Sequence, residues 1–270
     1  MSIDTLVNGI KERQVILFVG AGVSMNLGLP SFRELVSEIG RQLDFDPEVF
    51  HTLGDYLSLA EYYRLQRGKI GDLRSWMDTK WHPSTIDIST SQVHNLIVSL
   101  DFPIVYTTNY DRWLEEAYKV KKKNFLKIVG VGDLAKARSG ETEIIKFHGD
   151  FSDDDSIVLT ESSYFRRMDF ETPLDIKLRS DSLGKPLLFL GYSLADMNMR
   201  YLLYKLQNLW KDSPQSHQRP KSYILMTRSN PIQEKILEAR GIEPIIWKND
   251  SPGAGLVDFL SHLHKECSRV

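Results

Sequence analysis

Val15-Ile16-Leu17-Phe18-Val19 runs without a break into Gly20-Ala21-Gly22-Val23-Ser24, and this stretch, VILFVGAGVS, sets the fold class. An apolar run made mostly of β-branched and aromatic residues suits a strand buried on both faces, and such a strand needs helices above and below it. Similar runs recur at Ile104–Thr108, Leu126–Val129, Glu143–Phe147, Leu187–Leu190, Tyr223–Met226 and Pro244–Trp247. Between them, apolar residues fall at helical spacing over Ser31–Leu43, Gln92–Leu100, Asp111–Tyr118, Asp196–Trp210, Pro231–Ala239 and Leu256–Lys265. Ser31 with Glu34 three residues on reads as a capping box at a helix start. The alternation predicts an α/β fold: a Rossmann-like, mainly parallel sheet with helices on both faces.

Two stretches break the alternation, about 46–91 and 151–184. Both read as helical insertions forming a smaller subdomain within a single domain over 1–270, since no repeat, low-complexity tract or linker divides the chain. Lys211–Lys221 reads as an exposed loop. The group Tyr56, Tyr62, Tyr63, Trp76 and Trp81, at helical spacing, reads as core packing.

The 270 residues are 41% hydrophobic and 26% charged, enough to bury a substantial core. Lys and Arg total 34 against 36 Asp and Glu, a net charge of -2, so there is no global basic field for a nucleic acid or an anionic membrane. Cys267 is the only cysteine, which excludes an intramolecular disulfide and a cysteine-based zinc site. The opening residues MSIDTLVNGIKERQ lack the order of a secretory signal, and no apolar run approaches the roughly 18 residues of a membrane span. These features predict a soluble cytoplasmic protein without membrane association, metal or sequence-specific nucleic-acid contact.

Four motifs sit at strand ends. Gly20-Ala21-Gly22-Val23-Ser24 could let a pyrophosphate approach the backbone, but Met25 replaces the last glycine of a dinucleotide fingerprint, and a plain tight turn is an equal reading. Thr107-Thr108-Asn109-Tyr110-Asp111 puts short polar side chains at a strand's carboxyl end, although taken alone Asn109 or Asp111 reads sooner as a cap of the next helix. Lys146-Phe147-His148-Gly149-Asp150 offers a histidine able to act as a base near neutrality, or a structural one. Gly191-Tyr192-Ser193-Leu194-Ala195-Asp196 could meet a ribose or phosphate, or turn a strand into a helix capped by Asp196.

In this order, GAGVS, GLPSFRE, TTNYD, FHGD and GYS resemble the sirtuin superfamily, most closely its bacterial SIR2-like NAD-hydrolase branch active in antiphage defence. The resemblance implies NAD+ as substrate, bound between a Rossmann-like domain and a smaller one, with cleavage of the nicotinamide–ribose bond. By that resemblance Gly20, Ala21, Gly22 and Ser24 line the pyrophosphate and ribose, Thr107 stands beside them, and Arg33 contacts the cofactor near the cleavage end. Ser31 stands where the family pattern G-I-P-D-F-R has Asp. Asn109 would hold the nicotinamide ribose and position water, Asp111 would meet the carboxamide or assist orientation, and His148 would act as base on a ribose hydroxyl or on water. Gly191 and Ser193 would line the adenine-ribose side.

Deacylases of the superfamily carry a four-cysteine zinc module after the His-Gly motif, and one cysteine cannot build it. The resemblance therefore favours water over an acetyl-lysine substrate as acceptor. It also implies a homo-oligomer working with a separately encoded sensor, a HerA-like ATPase foremost. Two rival readings stand beside it: an α/β serine hydrolase using Ser193 with Asp258 and His262 or His264, and a regulatory subunit that senses NAD+ without turnover.

Overall fold

The computed structural model describes residues 2–169, 171–192, 197–211 and 213–269. Among the described residues, seven strands form one sheet in the order β3-β4-β2-β1-β5-β6-β7, with every neighbouring pair parallel. They are β1 Ile16–Val19, β2 Ile104–Thr107, β3 Phe125–Ile128, β4 Thr142–Lys146, β5 Leu187–Leu190, β6 Ser222–Met226 and β7 Ile242–Ile246. Each lies within two residues of its predicted bounds at either end, because parallel strands covered on both faces need unbroken apolar runs.

Alternate residues supply two cores. Leu17, Val19, Val105, Leu188, Leu190 and Leu225 pack on one face, against residues of the helices Ser2–Lys11, Gln92–Leu100 and Pro252–Cys267. Ile16, Phe18, Ile104, Tyr106, Leu187 and Phe189 pack on the other, against the helices Pro173–Gly184, Met197–Lys211 and Pro231–Ala239. The period of two along each strand assigns successive side chains to opposite faces. The fold is thus α/β, with helices on both faces of a parallel sheet.

A third core joins the helices Phe32–Gln42, Pro47–Phe50, Tyr56–Arg67 and Gly71–Trp81 through Leu35, Ile39, Phe50, Tyr63, Leu73 and Met77. Tyr110, Phe151, Ile157 and Leu159 from beyond β2 and β4 complete it. The second insertion is divided between layers: its first part enters this helical core, whereas Leu174 and Leu178 of Pro173–Gly184 join the sheet core. The physical reason is that Pro173–Gly184 leads directly into β5 and must lie on the sheet to deliver it.

Local signals behave as their chemistry requires. The Ser31–Glu34 capping box is present, opening the helix Phe32–Gln42. The last helix begins earlier than its apolar spacing predicts, at Pro252, because the Ser251 side chain accepts the Ala254 N–H and proline suits the first turn. GAGVS departs from expectation more strongly. Rather than a plain tight turn, Ala21–Met25 forms a short helix immediately after β1.

Candidate active site

The register of the sheet brings the motifs together. Val19 pairs with Thr107 and with Leu190, and Thr107 pairs with Lys146, so the four residues form one row. Because the strands are parallel, the segments that follow them leave at the same edge. Beyond β1 the chain crosses to β2 on one side, while beyond β5 it goes to β6 on the other, so β1 and β5 flank a switch point of the kind where α/β sheets bind ligands.

A cavity of about 470 Å³ lies there, within the usual range for small-molecule sites. Its wall takes Ala21 and Ser24 from the first motif, Thr108, Asn109, Tyr110 and Asp111 from the second, His148 from the third, and Gly191 and Tyr192 from the fourth. Phe32, Tyr56, Trp81 and Tyr164 cover it from the helical side. Tyr56 and Trp81, read from sequence as core, therefore face the cavity, although Trp81 also packs in the helical core.

Asn109 is placed by three bonds of its own, one of them to a residue that is itself tied to β1. Its backbone N–H donates to Thr107 Oγ1 at 3.0 Å, and Thr107 Oγ1 donates to the Val19 carbonyl at 3.0 Å. Its side-chain Nδ2 donates to the Gly20 carbonyl at 3.2 Å and to Ser24 Oγ at 3.0 Å. Both amide protons are thereby used, and what this side chain can offer a ligand is the acceptor Oδ1. Thr107 is fully buried and serves as a strut rather than as part of the wall.

The glycines approach other backbone. A Cβ on Gly20 would lie 2.7 Å from the Gly191 carbonyl oxygen, and one on Gly22 would lie 2.8 Å from Gly191 Cα. Gly191 has φ +72° and accepts the Gly22 N–H at 2.9 Å. The glycines thus allow the first and fourth turns to touch, and neither Gly20 nor Gly22 belongs to the cavity wall. Tyr192 strengthens this junction: its hydroxyl donates to the Val19 carbonyl at 3.1 Å and lies 3.0 Å from Thr108 Oγ1, which then donates to it. Sequence reasoning gave Tyr192 no role, and no spacing could have signalled one.

His148 is buried between Phe147 and Tyr164, whose ring meets the imidazole edge-on with centroids 5.5 Å apart. Burial, aided by the nearby Arg167 guanidinium, pushes its pKa down to about 3. Arg167 itself lies 4.0 Å from the Phe147 ring centre and pairs with Asp175 at 3.1 Å. The imidazole is therefore neutral at pH 7 and can accept a proton. His94, paired through Nδ1 with Ser91 at 2.7 Å, is pushed down to about 4 by burial, against the opposing pull of Asp111.

These two histidines carry a stability consequence. Between their folded values and the ordinary 6.5, the unfolded chain binds protons that the folded chain excludes, so stability falls as pH drops below 6.5. Each contributes a slope of up to about 1.4 kcal/mol per pH unit. Urea melts between pH 7 and 4.5 should show this acid weakening, and His148→Gln should remove part of the slope. An unchanged slope in that variant would refute the assignment.

Asp111, one residue ahead of the helix's N-cap Arg112, accepts the Trp113 N–H on Oδ1 at 3.2 Å in a local turn, and the helix starts at Trp113 rather than at Asp111. Beneath the loop lies Lys146, fully buried in β4. Its Nζ donates to the Asp111 carbonyl and stands 3.3 Å from Glu115 Oε1 and 3.7 Å from Asp150 Oδ2. Burial alone would raise the Asp150 pKa, but Lys146, Lys127 and Ser152 outweigh it and hold the carboxyl well below the usual range. Lys146 thus shapes the site without facing it.

Arg33 is not brought to the wall: it is exposed and pairs with Glu48 at 3.0 Å. Ser193 and Asp196 lie outside the described residues. Asp258 accepts the Trp247 Nε1–H at 2.9 Å, His262 packs on Trp247, and none of Asp258, His262 and His264 lines the cavity. Among the described residues no helix is long and apolar enough to cross a membrane.

A family model described as a SIR2-like domain matches residues 103–245. The chain is 28% identical over 215 residues to the NAD(+) hydrolase ThsA of Enterococcus faecium, covering 77% of this chain and 43% of that protein. It is 28% identical over 235 residues to defense-associated sirtuin 2 of Bacillus subtilis, covering 84% of this chain and 22% of that one. The chain therefore spans less than half the length of these curated relatives. A solved Sir2 homolog–NAD complex aligns over 98% of this chain and 95% of its own, with 14% identity and a TM-score of 0.50, a likeness that concerns the fold alone.

Proposed function

This chain belongs to the SIR2-like domain family, and from that premise we propose that it is an NAD+ hydrolase releasing nicotinamide and ADP-ribose in bacterial antiphage defence. The observation that carries the reading is the meeting of Asn109 and a neutral, buried His148 in one cavity at the switch point of the sheet. The relatives named NAD(+) hydrolase support the same substrate.

In the proposed reaction the bond between ribose C1′ and the nicotinamide nitrogen breaks, and its electron pair neutralises the pyridinium. The leaving group needs no proton, so the burden falls on the cationic ribose and on its acceptor. Asn109 Oδ1 accepts from a ribose hydroxyl or from water and orients it. His148 takes the proton as the water oxygen bonds to C1′, and later releases it to solvent. Asp111 assists orientation, Ala21 and Ser24 border the pyrophosphate and ribose, and Gly191 borders the adenine side. Gly20, Gly22 and Thr107 act by holding these groups. Arg33 would reach the cofactor only by leaving Glu48, and an exposed pair of this kind costs little to break.

Purified protein incubated with NAD+ should yield nicotinamide and ADP-ribose in equal amounts by chromatography. Tight NAD+ binding without nicotinamide release, alone or with a partner, would replace this reading with an NAD+-sensing one. A homo-oligomer and a HerA-like ATPase partner belong to the same proposal, and co-purification with the partner, with turnover measured in its presence, tests them.

A further inference from the structure

Residues 108–112, between β2 and the helix Trp113–Val120, have no regular secondary structure, yet they carry Asn109 and Asp111. Their geometry is set by anchors. Thr107 and Asn109 hold the start; Lys146 and the Tyr110 hydroxyl, which donates to the Val158 carbonyl at 2.6 Å, hold the middle. The end is held from the helical insertion by His82, which follows the helix Gly71–Trp81 and is not part of the cavity wall.

The Arg112 backbone N–H donates to His82 Nε2 at 2.9 Å. Nε2 is therefore the unprotonated nitrogen, and Nδ1 carries the hydrogen, donating to Asp78 Oδ1 at 2.7 Å. Asp78 Oδ1 also accepts from Arg112 Nη2 at 2.9 Å, so one Asp-His pair grips Arg112 by backbone and side chain together. The imidazole is packed edge-on against Phe151, with centroids 5.7 Å apart, and lies 5.8 Å from the Trp113 ring. A backbone N–H just before a helix has no intrahelical acceptor, and a nearly buried imidazole supplies one here.

We propose that His82, oriented by Asp78, is a positioning residue that fixes the loop bearing Asn109 and Asp111 to the helical insertion. The inference rests on the hydrolase reading for its kinetic consequence, though not for its structural one. Truncating His82 leaves the Arg112 N–H without its acceptor and lets the loop shift. Displacements of about 1 Å at a reacting group cost on the order of 100-fold in rate.

His82→Leu is expected to lower kcat for NAD+ cleavage by roughly 10- to 100-fold with KM within about threefold of wild type. His82→Gln can place an amide oxygen near the Nε2 position and its NH2 toward Asp78, and is expected to restore kcat to within about threefold. A Leu variant with wild-type kcat, or a folded Gln variant as impaired as Leu, would overturn the proposal. Hydrogen exchange of the Arg112 amide in the ligand-free full chain decides the structural part without turnover. It should be slow in wild type and His82→Gln and faster in His82→Leu, and equal rates in all three would overturn the proposal. If wild type cleaves no NAD+ while the exchange pattern holds, the hydrolase reading fails and the anchor stands.

Discussion

Replacing His148 by alanine is expected to lower kcat for NAD+ cleavage by about 10²- to 10⁴-fold, the range over which a general base acts. The imidazole is already the proton acceptor at neutral pH, because burial and Arg167 push its pKa down to about 3. Such a depressed value keeps the base form populated throughout the physiological range but makes it a weak base. That suits a reaction in which the leaving group needs no acid and water is deprotonated only as it meets a cationic carbon. Accordingly, kcat/KM should show no inflection from His148 between pH 8 and 5. The ring packs against Tyr164 at the cavity wall, so its loss enlarges an existing space rather than opening a sealed one. Stability should therefore fall far less than activity. Single-turnover assays beside thermal melts make the check: a folded His148→Ala with wild-type kcat refutes the role, and collapse of the fold makes His148 structural.

The largest effect on stability is expected one residue later, at Gly149→Ala. Gly149 has φ +90°, and a Cβ there would lie 2.2 Å from the Ser156 carbonyl oxygen and 2.4 Å from its carbon. The obstacle is backbone, which cannot rotate away. It is also tied down: the Val158 N–H donates to the His148 carbonyl at 2.9 Å, and the Asp150 N–H donates to Ser156 Oγ at 3.0 Å. The left-handed conformation alone costs an alanine roughly 1–2 kcal/mol, and forcing added volume into a packed site adds about 1–3 kcal/mol. A loss of about 2–5 kcal/mol is a large part of a typical total of about 5–15 kcal/mol. The melting temperature should drop by on the order of 10 °C, and activity should fall with it because His148 and Lys146 flank the strained turn. A Gly149→Ala protein that melts within about 2 °C of wild type would show that the Ser156 segment yields, contrary to this account.

The two effects separate the kinds of information held in the chain. Val15–Val19 and the six runs like it announced strands because burial on both faces leaves no room for polar residues, a local requirement written residue by residue. Ser31 and Glu34 announced a helix start for the same reason, since a capping box is closed within four residues. The motifs announced candidates for chemistry through residue type and position. Local signals were weaker where an element answers to a distant partner. The helix after TTNYD starts at Trp113, because the Asp111 carboxylate takes the Trp113 N–H in a turn and His82, 30 residues earlier, takes the Arg112 N–H. Pro173–Gly184 lies on the sheet rather than in the helical layer because β5 follows it.

Sequence by itself determined the strands, the α/β class and the small set of polar residues able to do chemistry. Tertiary structure alone decided the rest: that Val19, Thr107, Lys146 and Leu190 share a row, so that Asn109 and His148 open on one cavity; that Gly20 and Gly22 serve the approach of Gly191; that Tyr56 and Trp81 face the cavity; and that Arg33 pairs with Glu48. The physical reason is range. Burial patterns and caps act over a few residues, whereas strand register, close backbone approach and the depressed pKa of His148 arise between groups far apart in the chain and exist only once it is folded.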